Sequence, residues 1–121
     1  MTPVRIWEGR RGAVLGSDDS DYIIVEFVGE RLGSWTEHLD DRGNRGVTYE
    51  VYRTVEGTII VHRVTWSRWS NEDDTALIVE YDSLEDAAQD YRRELENAGI
   101  IDRRVLTLDE WRTQQKYRKP E

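Results

Sequence analysis

At Ser83 the hydrophobic period of the chain changes, and that change narrows the folds open to it. Before Ser83, apolar and polar residues alternate, which is the period of a half-buried strand. Val47, Tyr49, Val51 and Val55 interleave with Thr48, Glu50, Tyr52 and Thr54. After Ser83, Leu84, Ala87, Ala88, Tyr91, Leu95 and Ala98 follow at spacings of 3, 1, 3, 4 and 3, forming one stripe on a helix. Strands followed by helix predict an α+β domain. The expected architecture is a mostly antiparallel meander of five to six strands with one or two C-terminal helices packed on it. A chain of 121 residues suits one domain, 1–121, with residues 113–121 as a fraying tail.

Turn chemistry fills in the meander. Residues 4–7 and 13–15 flank a loop at 8–12, and residues 22–28 form the run richest in β-formers. Gly29-Glu30 suits a two-residue type II′ turn into residues 31–38, because Gly accepts positive φ without a Cβ clash. Residues 40–46 read as a charged, Gly-punctuated loop. Glu56-Gly57 reads as a two-residue turn between 47–55 and 58–66. That turn would pair Arg53 with Ile60, Val51 with His62 and Tyr49 with Val64, and set Glu50 opposite Arg63. Residues 76–81 form a last strand. Ser83 to Asp86 resembles a capping box, and Gly99 suits the left-handed residue after a helix. Thr107 to Glu110 is a second capping box, with Leu106 placed to staple against Trp111.

Composition excludes several chemistries. The chain has no Cys, which removes disulfides, thiol catalysis and thiolate metal sites. Leu, Ile, Val and Phe number 28 of 121, so the core is lean. No apolar run approaches the ~20 residues of a membrane span, and no secretory signal is visible, so a cytoplasmic protein without membrane contact is expected. No phosphate-binding loop, dinucleotide fingerprint or nucleophile elbow is present. His38 and His62 lack zinc-site spacing, and the acidic runs Asp18-Asp19-Ser20-Asp21 and Glu72-Asp73-Asp74 read as exposed turns. No catalytic residue, cofactor or metal is assigned.

The formal net charge is −8. Residues 1–83 hold 16 acidic and 9 basic side chains, whereas residues 84–121 hold 9 and 8. Such a field repels phosphate backbones and suits a basic partner.

Candidate contact residues come from two features. His62 and Arg53 alternate with apolar neighbours, and a polar residue on a core face needs a partner or a place at the core's edge. With Tyr49 or Glu80, and with Trp66 nearby, they could line a small polar pocket. Five Trp and six Tyr stand against one Phe, a bias towards residues with large apolar area and a polar atom. Trp35, Trp66 and Trp69, with Arg68 between two of the indoles, are candidate partner contacts, the alternative being that the rings fill a core short of Leu and Phe.

Two strings resemble known proteins. Trp66-Ser67-Arg68-Trp69-Ser70 matches the W-S-x-W-S string of class I cytokine receptors. Those domains are secreted all-β sandwiches with disulfides, and a Cys-free chain with a following helix is not one. The stretch 27–85 resembles the EXLDI family of small bacterial proteins. Gly29-Glu30-Arg31-Leu32, Val51-Tyr52-Arg53-Thr54, Gly57, Val61-His62, Trp66-Ser67-Arg68-Trp69 and Glu72 carry the likeness. The segment that should hold the naming motif reads Leu77-Ile78-Val79-Glu80-Tyr81-Asp82. The resemblance implies a cytoplasmic bacterial protein and no mechanism.

Three functions remain open. The first is a non-enzymatic module that binds a protein partner or itself, of the inhibitor, antitoxin or immunity type. The second is a small-molecule binder or enzyme with a pocket at Arg53, His62 and Trp66. The third, opposed by the overall field, is nucleic-acid contact through Arg92, Arg93, Arg103, Arg104, Arg112, Lys116, Arg118 and Lys119, with Trp111 and Tyr117 stacking.

Overall fold

A computed structural model describes residues 1–12, 21–69 and 72–116. Five strands precede two helices: β1 (Thr2–Arg11), β2 (Asp21–His38), β3 (Arg45–Thr54), β4 (Ile59–Ser67), β5 (Asp74–Tyr81), α1 (Leu84–Asn97) and α2 (Leu108–Lys116). The expected α+β architecture is what forms. Each strand pairs antiparallel with the next, and β5 returns to β1, so the meander closes into a barrel.

Closure depends on β2, which is one strand and not a hairpin. Residues 21–29 pair with β1 and residues 29–38 with β3. A register shift between Arg31 and Gly33 marks a bulge, which bends a strand and lets it serve two parts of a barrel. Gly29 therefore makes no turn. A Cβ there would lie 2.5 Å from the Arg53 carbonyl oxygen, so Gly is required by the close approach of two backbones. The expected loop at 8–12 is likewise absent: β1 continues to Arg11, and residues 13–15 lie outside the described residues.

β1 and β5 pair over only three residues, Gly9–Arg11 with Asp74–Ala76. Side chains then replace the missing ladder. The His62 Nε2–H donates to the Trp7 carbonyl at 2.8 Å, and the Ile78 N–H donates to the Glu8 carboxylate at 2.8 Å. At the opposite end, β1 has no pairing with β5 and the barrel stays open.

The β3–β4 loop also differs from expectation. It has three residues, Val55-Glu56-Gly57, with Gly57 at φ +91°. The Gly57 N–H donates to the Thr54 carbonyl and the Thr54 N–H to the Thr58 carbonyl, each at 2.9 Å. This is the turn-plus-bulge form of hairpin, and it moves the register by one residue. Val51 faces Val61, Glu50 faces His62 and Tyr49 faces Arg63. The charged loop expected at 40–46 is shorter, because β3 begins at Arg45.

Opposite faces of β3 and β4 feed two apolar clusters. Val47, Tyr49, Val51, Ile59 and Val61 meet Ala87, Ala88 and Leu95 of α1 on the outer face. Tyr52 and Ile60 meet Ile6, with Val25, Phe27 and Ile78 around them, inside the barrel. The α1 stripe is buried as its spacing predicts, with a non-helical break at Tyr91, whose ring meets Tyr49 and Tyr81 edge-on. Ser83 accepts from the Asp86 N–H at 3.2 Å. Gly99 at φ +74° ends the helix, and the Ile100 N–H reaches the Leu95 carbonyl at 2.9 Å, a Schellman closure that folds Ile100 onto the core. α2 continues to Lys116, so part of the expected tail is helical; residues 117–121 lie outside the described residues. No described helix is long and apolar enough to cross a membrane.

Candidate functional site

The open end of the barrel holds a cavity of about 460 Å³. It exists because the β1–β5 ladder stops at Gly9, leaving the Ile78–Glu80 side of β5 unpaired with β1. β2 supplies Val25, Phe27 and Val28 to its wall, the β3–β4 loop supplies Val55, and Ile60 and Ile78 complete the apolar lining. Phe27 is held edge-on against Tyr52, with ring centroids 5.5 Å apart.

Three carboxylates stand around this apolar surface: Glu26, Glu56 and Glu80. Each arrives on a different element. Glu26 reaches Arg5 at 3.2 Å, in a pair whose side chains are both well exposed, so water screens it. Glu80 accepts from the Thr58 hydroxyl at 2.9 Å, and Thr58 in turn contacts Thr54 at 2.8 Å. Glu56 makes no hydrogen bond or ion pair among the described residues. No Lys, Arg or His contributes to the lining. The mouth thus combines apolar contact with a net negative rim, in which Arg5 pairs with Glu26 while Glu56 and Glu80 make no ion pair among the described residues, and its lining has one hydroxyl, Thr54, and no imidazole.

The residues marked from sequence fall in four places. Arg53 lies beside α1 and reaches Glu30 at 3.5 Å, over a depression shared with Gly57, Ser83 and Leu84. His62 lies on the other face of the sheet, 3% exposed. The register found for β3 and β4 separates the two, so the pocket expected at Arg53, His62 and Trp66 does not form. Tyr49 packs in the outer cluster, and Glu80 is at the barrel mouth. Trp35 packs against the outer cluster.

Trp66, Arg68 and Trp69 do come together, at the far end of the barrel. Gly46 faces Trp66, and a Cβ there would lie 2.4 Å from the indole, so Gly46 is what lets the ring lie across β3. The Trp66 Nε1–H donates to the Thr48 hydroxyl at 3.0 Å, and the Arg68 guanidinium sits 5.9 Å from the Trp66 ring. Of the three indoles marked, only Trp69 is largely exposed, at 48%. A second cavity of about 460 Å³ adjoins it, lined by Arg11, Ser67, Arg68, Glu72 and Asp74. Its polar groups already engage each other. Glu72 accepts from Ser67 and Arg45, and Asp74 accepts from the Ser67 N–H. Asp73 accepts from Arg10. The second acidic run is therefore a bonded turn; of the first, at 18–21, residues 18–20 lie outside the described residues and Asp21 opens β2.

His62 belongs to a buried polar cluster. Its Nδ1 has no hydrogen-bond partner among the described residues and lies 3.9 Å from the Glu50 carboxylate, which accepts from the Tyr52 hydroxyl at 2.6 Å. Burial holds the imidazole below its ordinary pKa, against the pull of the Trp7 carbonyl and Glu50. Burial and the Glu50 bond both push the Tyr52 phenol well above its ordinary range. Of these groups His62 ties β4 to β1, through the Trp7 carbonyl.

The apolar mouth escapes sequence reasoning because its carboxylates are far apart in the chain. Val55 followed by Glu56 at the tip of a strand is the one local signal, a large aliphatic residue where a turn is polar by default. A scan against family models finds none that matches the chain, and searches of curated proteins and of solved structures find no match either.

Proposed function

We propose that the protein is a small, acidic, non-enzymatic binding module that takes a basic amphipathic segment of a protein into the open mouth of its barrel. The observation that carries this reading is an apolar cavity of about 460 Å³ ringed by Glu26, Glu56 and Glu80 with no cation in its lining. A helix or strand with an apolar stripe would fill the cavity, and flanking Lys or Arg would meet the carboxylates. The chain's net charge of −8 steers such a partner in and turns nucleic acid away. A cytoplasmic setting, which the EXLDI resemblance implies, belongs to the same proposal.

The test is calorimetric titration of the full chain with a model helical peptide of Leu and Lys at amphipathic spacing, and with its Leu–Glu counterpart. The Lys peptide is expected to bind, with affinity falling as salt rises. In the triple variant Glu26→Gln, Glu56→Gln and Glu80→Gln the affinity should drop about tenfold, as three exposed charge pairs would give. Equal binding of both peptides, or an unchanged affinity in the variant, overturns the reading.

A second reading is favoured by the cavity's size. It falls within the range of small-molecule sites, roughly 300–1,000 Å³, so an amphiphilic amine would suit the same mouth. A thermal-shift screen with alkylammonium ions against alkyl carboxylates addresses it: stabilisation by the cations alone supports it, and no shift removes it.

A further inference from the structure

α2 is a helix without a platform. It has nine residues, and all of residues 108–114 are exposed. Leu108 is 58% exposed and Trp111 49%, although they stand three apart on one helix face. Val105, just before it, is 90% exposed. Its side-chain hydrogen bonds stay local. Thr107 and Glu110 form a reciprocal capping box, Arg112 reaches Asp109, and Thr113 reaches the Asp109 carbonyl. An isolated helix shorter than ~12–15 residues is marginal in water even with good caps. A nine-residue helix with a bare Leu–Trp face therefore gains most of its stability only by burying that face elsewhere.

α2 itself carries two acidic and two basic side chains, and the sequence on either side of it is basic. Residues 103–119 carry six basic and two acidic side chains, in a chain of net charge −8. It is the one stretch of this chain with the chemistry the barrel mouth selects: an apolar face of Leu and Trp flanked by Arg and Lys.

Resting on the reading of the mouth given above, we infer that its occupant is α2 of a second copy of this chain, exchanged reciprocally between two molecules. Two observations favour a second copy over the chain's own helix. α2 stands clear of the mouth in the single chain. The chain also leaves the body at Ile100 and Ile101, which pack in the outer cluster under α1, whereas the mouth opens from the barrel's interior on the other face of the sheet. Reciprocal exchange buries both helices, satisfies both mouths and closes on a two-fold axis, so it yields a pair and not a filament.

Sedimentation velocity on the full chain, from dilute to concentrated and at low and high salt, tests this. The expected result is a mass of two chains at high concentration and low salt, falling to one on dilution. Two variants separate the halves of the contact. Leu108→Ser with Trp111→Ser removes the helix's face, and Glu26→Gln with Glu56→Gln and Glu80→Gln removes the rim. Circular dichroism and an unchanged melting temperature show that both still fold. Each alone should weaken association about tenfold or more. An equimolar mixture should recover part of it, because one intact mouth then meets one intact helix. A single-chain mass at every concentration, or a mixture that recovers nothing, overturns the inference. If that happens while the Leu–Lys peptide still binds, the mouth accepts a segment of another protein and only the exchange is wrong. If the peptide also fails, the reading of the mouth falls with it.

Discussion

α1 and α2 start alike and end differently. Each opens on a hydroxyl cap that accepts from the backbone N–H three residues on, Ser83 from Asp86 and Thr107 from Glu110. Each has two acidic residues in its first turn, where the helix dipole favours them. α1 then lays Ala87, Ala88 and Leu95 on the outer face of β3 and β4, with Leu95 among the most deeply buried side chains of the chain. α2 lays Leu108 and Trp111 on nothing. Caps decide where a helix begins; burial decides whether it persists. The contrast is what the proposed exchange of α2 between two copies starts from.

The sharpest way to break the comparison is to truncate one apolar residue on each helix. Leu95→Ala should cost about 2–5 kcal/mol of global stability in urea unfolding, the range for a buried leucine. Trp111→Ala in dilute solution should cost under about 0.5 kcal/mol, as for an exposed site. A Trp111→Ala cost comparable to that of Leu95→Ala would show that α2 is packed in the single chain.

Acidification should separate the two regions next. α1 rests on a barrel that His62 helps to close. Burial lowers the folded pKa of His62 below its unfolded value of 6.5. Its contribution is therefore complete above the unfolded pKa and is lost as pH falls through the folded one. Unfolding free energy, and melting temperature with it, should decline as pH drops below about 6.5, the free energy by at most about 1.4 kcal/mol per pH unit for one proton. His62→Gln, whose amide can still donate to the Trp7 carbonyl, should flatten that slope between the histidine and carboxylate ranges. The charges acting on the ring, Glu50, Glu8 and Arg11, are unchanged in that variant. An unaltered slope would show that His62 titrates alike in the folded and unfolded states or is not the titrating group.

The caps give a smaller effect. Ser83→Ala should lower global stability by about 1 kcal/mol. Thr107→Ala should lower helix content without moving the unfolding midpoint of the barrel, because α2 melts apart from it. Equal shifts in both variants would erase the distinction between the helices.

What could be read from the residues follows the same division between local and distant causes. The α1 stripe, the Ser83 cap and the Gly99 stop are local, and all three form. The change of period at Ser83 set the order of strands and helices. Gly29 was misleading because two different constraints select glycine: a turn needs positive φ, and a crowded crossing needs the absence of a Cβ. Only the position of the Arg53 carbonyl tells them apart. Gly57 was placed at the right turn, but a two-residue loop and a three-residue loop differ by one register step, and that step moved His62 away from Arg53. The aromatic candidates were judged by residue type, whereas exposure is set by what packs above them: α1 covers Trp35, and Thr48 and Gly46 hold Trp66. The barrel mouth was not legible, since Glu26, Glu56 and Glu80 become neighbours only when β2, the β3–β4 loop and β5 surround one opening.

Hydrogen exchange of the full chain at a series of concentrations is the decisive test of the proposal that the acidic mouth of the barrel receives the exposed Leu–Trp face of α2 from a second copy. The amides of α2 should exchange freely in dilute solution and become protected as concentration rises. The Val55 amide, which donates to the Val28 carbonyl at the mouth, should gain protection over the same concentrations. Protection of α2 that is already full at the greatest dilution, or that rises without any change at Val55, would contradict it.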